Sequence, residues 1–372
     1  MAIFIIPLLM ILLFTVYNSL YKKNWTNELK VQLEFLQDHA NEGEECELME
    51  VLTNKKILPL LFLQLKFCVD RKMVPVDYPN ASISDQTYVS DVFTLRSYER
   101  LKRVMRFKAD KRGYYTIEKA ELIGTNLFTG KKNYFDDPQQ TYIYVYPRLL
   151  PVDVMSLPFE RLMGLEQKRS FIYEDPFTFR GVRDYRSTDS LRNINWKLTA
   201  KTGDLMVNLR DSTVSSRIAI LLNLDDPQGL FDMEVLEDCI RMTLTMADGI
   251  SRSGISAAVK TNAVDFITHA PVSVDTVESG EYLKIIARAL ARIDLDWERD
   301  PFSELVREES RNSRLADMTY CVISSSVRAD VTEAVSQLAA DCGRVLWLCP
   351  IKKAVHFPVD AKGIDFYPIY LT

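Results

Sequence analysis

The run SRIAILLNL, residues 216–224, is followed by LFDMEVLEDCIRMTLTMADGISRSG, residues 230–254, and together they decide the architecture of the second half of this chain. The first run is uninterrupted aliphatic, the pattern of a strand covered on both faces. In the second, Leu236, Ile240, Thr243, Ala247 and Ile250 recur near helical spacing, and Gly254 supplies the stop. The alternation continues outward. ISAAVKT (255–261) reads as a strand, residues 277–293 and 301–315 as helices, and TYCVISSS (319–326) as a strand. DVTEAVSQLAADCG (330–343) is a helix ended by Gly343, RVLWLCP (344–350) is a strand, and IDFYPIYLT (364–372) a final edge strand. Strands alternating with helices predict a parallel, Rossmann-like α/β sheet over residues 216–372. Ligands in such folds bind at the carboxyl ends of the strands.

Composition sets the outer limits. A chain of 372 residues holds two ordinary domains, and 47% hydrophobic with 26% charged residues is globular composition. A net charge of −5 argues against a nucleic-acid binder, which is usually basic. Cys46, Cys68, Cys239, Cys321, Cys342 and Cys349 form no Cys-x-x-Cys pair, and most lie in apolar runs, as buried reduced thiols do. His39, His269 and His356 are scattered without zinc-ligand spacing.

The amino-terminal segment carries no charged side chain from Met1 to Tyr21. Its apolar length just reaches that of a transmembrane helix, expected over residues 1–22, with Tyr17, Tyr21 and Trp25 as an interfacial belt beside Lys22 and Lys23. A cleaved signal peptide would need a basic n-region and a small-residue cleavage site, and neither is present. Positive charge follows the segment, so the positive-inside rule places the soluble part in the cytoplasm, behind a single pass of the cell membrane.

Residues 28–150 read as short strands of a β-sandwich-like domain. KVQLEFL sets Val31, Leu33 and Phe35 on one face, ECELMEVL precedes a turn at Thr53–Lys56, and LPLLFLQLKFCV is a longer strand. Asp110-Lys111-Arg112-Gly113 reads as a hairpin turn, TYIYVYPRL as the closing strand, and the polar residues 76–90 as a mobile loop.

Between the two domains lies a connecting segment, residues 151–215, holding RDYRSTDSLRNINWKLTAKTGDLMV at 183–207. Arg183, Arg186, Arg192, Lys197 and Lys201 stand with Asp184 and Asp189, and Tyr185, Leu191, Ile194, Trp196 and Leu198 are threaded through them. Two readings follow. The segment is an internal brace, with Tyr185, Ile194 and Trp196 packed between the domains. Alternatively it is a docking surface, since Arg and aromatic residues are favoured in interface hot spots.

This pattern resembles the signature of the bacterial "domain of unknown function 58" family, with Thr188 standing where a turn glycine is expected. The resemblance implies a membrane anchor, a β-rich domain and a von Willebrand factor A-like domain. It also implies partnership with a MoxR-type AAA+ ATPase acting on client proteins. Metal-binding domains of the latter fold carry Asp-x-Ser-x-Ser after the first strand. Here Asp225 holds the first position beside Asp226, but Pro227 and Gly229 replace the serines and offer no side-chain oxygen to Mg²⁺ or Mn²⁺. Ser324, Ser325 and Ser326 follow the later strand. No resident metal or cofactor is expected, with Asp225 and Asp226 the only candidates. There is no Gly-x-Ser-x-Gly elbow and no phosphate loop, so the chain reads as a scaffold or adaptor rather than an enzyme.

Overall fold

The computed structural model describes residues 2–126, 129–172, 179–186, 191, 194–210, 217–225, 233–275, 281–297, 299–311, 318–351 and 363–370. They form two compact units, Met1–Arg148 and Leu149–Thr372.

The first unit opens with helix α1 (Ala2–Asn24), followed by strands β1 (Leu29–Phe35), β2 (His39–Asn41), β3 (Glu45–Asn54), β4 (Leu60–Asp70) and β5 (Met73–Pro75). Then come β6 (Ala81–Ile83), β7 (Gln86–Leu95), β8 (Arg100–Ala109), β9 (Gly113–Thr125) and β10 (Lys132–Tyr146). One sheet has the order β1-β3-β8-β5, the other β2-β10-β9-β4-β7-β6. Alternate residues of strands such as β1 and β7 turn inward. Leu33, Leu48 and Phe107 from one sheet share a core with Leu63, Leu65, Ile117 and Ile143 from the other, which makes the unit β-sandwich-like.

Two expectations change here. Asp110–Gly113 is not a hairpin turn: β8 pairs with β3 and β5, whereas β9 pairs with β10 and β4, so the chain crosses from sheet to sheet. Tyr115 staples this corner by donating its hydroxyl to the carbonyls of Lys111 (2.8 Å) and Arg112 (3.1 Å). Residues 76–90 are not a structureless loop, because β6 pairs with β7 within them.

Among the described residues, no helix is long and apolar enough to cross a membrane. By that measure the transmembrane helix expected over residues 1–22 is not supported. The carboxyl end of α1 packs on the β strands instead. Tyr21 and Trp25 are buried in the sandwich core, the Tyr21 hydroxyl donates to Thr125, and Asn126 donates to the Asn18 side chain. The last turns of α1 therefore belong to the β unit.

The second unit begins with helix α2 (Val152–Ile172), where the sequence suggested only a connection. Met155, Leu162 and Leu165 are buried, and Pro158 lies inside the helix, which obscures its periodicity. Strands β11 (Phe179–Asp184) and β12 (Met206–Arg210) pair antiparallel around helix α3 (Trp196–Thr202). There follow β13 (Arg217–Leu222), α4 (Met233–Arg252), β14 (Ser256–Asp265), β15 (Pro271–Val274), α5 (Tyr282–Ala291), β16 (Ile293–Asp294) and α6 (Phe302–Ser310). The unit ends with β17 (Thr319–Ile323), α7 (Ala329–Cys342), β18 (Val345–Ile351) and β19 (Ile364–Tyr370).

The sheet has the order β15-β14-β13-β17-β18-β19, with β16 also on β14. The five long strands run parallel; β15 and β16 are antiparallel additions to β14. α6 and α7 cover one face through Phe302, Val306, Val331, Val335 and Leu338. α4 packs on β13, β14, β17 and β18. Four cysteines are buried, with Cys68 and Cys342 half-buried, and all six are free thiols. Burial pushes Cys46 and Cys349 up to about 12.

Candidate functional site

In the parallel sheet the strand order reverses at β13, which lies between β14 and β17. That switch point is where open α/β sheets form a crevice. Asn223 and Ser324, one residue beyond β13 and β17, meet there: Asn223 Nδ2 donates to Ser324 Oγ at 2.9 Å. Asn223 also accepts from the Asp225 N–H at 2.8 Å. Ser324 Oγ in turn donates to the Ser326 carbonyl at 2.9 Å, and the Trp347 indole donates to the Ser324 carbonyl at 3.3 Å.

Asp225, two residues beyond Asn223, has both oxygens engaged. Oδ2 accepts from the Phe302 N–H at 2.9 Å, at the start of α6, and Oδ1 accepts from Asn262 Nδ2. Asn262 also binds the Leu224 N–H (3.1 Å) and the Asp300 carbonyl (3.1 Å). Arg299 donates to the carbonyls of Leu224 and Leu295. Burial pushes the Asp225 carboxyl above the ordinary range, against the Phe302 N–H and the charges of Arg328 and Arg299. The arrangement is a clamp joining the end of β13 to the start of α6. No group of three or more His, Cys, Asp or Glu placed to hold a metal occurs among the described residues, and Asp226 lies outside them. Asn223, Asn262 and Arg299 escaped the sequence reading. An Asn set within an otherwise apolar strand, as in LLNL and KTNAVD, is the signal that marks such residues.

The signature segment forms a small β-α-β element. Ile194 is buried and bridges to Val207; the Asn195 N–H donates to the Met206 carbonyl at 2.7 Å and the Tyr185 N–H to the Leu205 carbonyl at 2.8 Å. The Asn195 side chain caps α3 by accepting from the Leu198 N–H at 3.0 Å, and Gly203 ends the helix at φ +86°. Thr199 Oγ1 accepts from the Met206 N–H at 3.0 Å. None of the residues of α3 is buried. Trp196, on the first turn, is 66% exposed, and Leu191 and Leu205 are also exposed. Lys197, Lys201, Asp184 and Arg186 are exposed too, while Tyr185 and Arg183 are half-buried and Asp189 and Arg192 lie outside the described residues. Trp196 is not packed into the core of its own unit. The helix is held by its caps and by the hydroxyls of Thr199 and Thr202, and the Trp196 ring is left exposed.

No protein-family model matches the chain, and no curated protein matches it. Among solved structures, a CARDB domain of the PF1109 protein from Pyrococcus furiosus is 12% identical, over 30% of this chain and 93% of that one, with a TM-score of 0.20. A type II cohesin domain from Acetivibrio cellulolyticus is 12% identical, over 31% and 94%, with a TM-score of 0.20. The alkylpurine DNA glycosylase AlkC of Pseudomonas fluorescens is 13% identical, with 30% of either chain covered and a TM-score of 0.20. At such scores the likenesses carry no argument, and the fold rests on the strand pairing and core described above.

Proposed function

We propose that this chain is a membrane-attached, cytoplasm-facing scaffold or adaptor that docks a partner protein through its signature segment. The observation that carries the reading is α3: it buries none of its residues and yet presents Trp196 to solvent. An exposed Trp flanked by Lys197, with Leu191 and Leu205 exposed on the same element, has the composition of an interface hot spot with a charged rim. The exposed Leu9, Met10, Leu12, Phe14 and Val16 of α1 favour attachment to a bilayer through that helix. The parallel strand order and the family resemblance favour a von Willebrand factor A-like second domain, and the resemblance alone suggests a MoxR-type AAA+ ATPase as partner.

The test is a crosslinked pull-down of the full chain from native membranes, with Trp196→Ala and Arg186→Glu alongside. Capture of an AAA+ ATPase by the parent chain and its loss with both folded variants supports the adaptor. Equal capture by all three chains overturns the assigned docking surface, and capture of no ATPase overturns the partner.

A further inference from the structure

On the opposite end of the second unit from the switch point, a cleft of about 430 Å³ opens between α2 and the start of β19. Arg161, Gly164 and Lys168 line it from α2, at the spacing of one helix face, and Arg344 and Asp365 line it from the sheet side. Three cations therefore meet one carboxylate, in a chain whose net charge is −5. That carboxylate is already engaged: Arg161 Nη1 lies 2.7 Å from Asp365 Oδ1. The Arg161 guanidinium also stacks over the Tyr367 ring at 4.8 Å, which fixes its plane. Among the described residues neither Lys168 nor Arg344 has an acidic partner. Among the described residues the cleft thus holds one oriented guanidinium and two cations with no carboxylate of their own, and like charges so gathered are stabilised by an anion.

From this geometry we infer that the cleft is a binding site for a phosphate monoester. A doubly charged phosphoryl group matches the charges of Lys168 and Arg344. The fixed guanidinium offers planar donors to its oxygens. The volume lies within the range of small-ligand pockets, about 300–1,000 Å³. The phosphoryl group is either that of a soluble metabolite or that of a lipid headgroup, and the chemistry of recognition is the same.

Gly164 supplies a steric test that leaves the cations in place. A Cβ added there meets nothing within 4 Å, so Gly164→Phe points bulk into open space on a helix that gains from losing a glycine. The experiment titrates inorganic phosphate into the full-length protein at constant ionic strength, balanced with chloride, and reads heat and melting temperature. Saturable binding is expected, weakened about tenfold or more in Lys168→Ala/Arg344→Ala and in Gly164→Phe. A response that does not saturate, or that is unchanged in both folded variants, overturns the site. Vesicles of phosphatidylcholine with phosphatidic acid form the second arm. Competition with phosphate that Gly164→Phe abolishes identifies a lipid headgroup, and phosphate binding without such competition identifies a soluble ligand.

Discussion

Glu50 on β3 stands directly opposite Arg103 on β8, and Arg103 reaches across the core to Asp91 on β7 in the other sheet. Arg103 Nη2 lies 2.5 Å from Glu50 Oε2 and also binds Asp91 Oδ2. Asp91 accepts further from Tyr78 and, at 2.8 Å, from Asn80. Glu50 Oε1 is buried without a hydrogen-bond partner among the described residues. One guanidinium thus serves two carboxylates inside a sandwich, and the less well served one carries the cost.

Burial pushes the Glu50 carboxyl up to about 7, against the attraction of Arg103. The folded state then holds the Glu50 proton more tightly than the unfolded state does. Stability falls as pH rises from about 4.5 towards 7 and levels off above it, by roughly 3 kcal/mol in all. Glu50→Gln removes that dependence. Urea unfolding at pH 4.5, 6 and 8 is expected to show the variant gaining on the parent as pH rises, and parallel curves would count against the assignment.

Gly124 on β9 faces the Trp25 ring so closely that an added Cβ would lie 2.4 Å from Cε3. Gly124→Ala should destabilise the first unit by about 1–3 kcal/mol, because the indole has to shift within a packed core. The measurement is the urea midpoint, with Trp25 fluorescence reporting the displacement.

Trp196→Ala should change stability by no more than about 0.5 kcal/mol, since the ring is largely exposed. Asn195→Ala, which removes the cap of α3, should cost about 1 kcal/mol locally and speed amide exchange at Leu198. A loss of several kcal/mol on removing the indole would favour the brace.

Asp225→Ala leaves the Phe302 N–H and the Asn262 amide without their acceptor, at a cost of about 1–3 kcal/mol. The effect should be the same with and without added Mg²⁺ in thermal melts, because the carboxylate acts as a clamp. A destabilisation that appears only with the metal present would point to a ligand role instead.

The parallel strands were legible because burial on both faces leaves an uninterrupted aliphatic run, as in Ile218–Leu222. The crossing at Asp110–Gly113 was not, since its turn residues are those of a hairpin and only distant pairing partners distinguish the two. Trp196 could not be placed from its residue type: apolar residues favour the interior, but nothing obliges a given one to be there. Asp225 was found by position alone, and its occupation by Asn262 and Phe302 depends on contacts across the fold.

The end of α1 is seated in the sandwich through Tyr21 and Trp25, with the indole against Gly124. A helix joined by a flexible tether would swivel freely on the β unit; one whose last aromatic rings lie inside the core keeps a fixed heading. A force drawn along the helix is delivered straight into the core of the sandwich, so the same contacts that fix its heading also set the load at which it gives way.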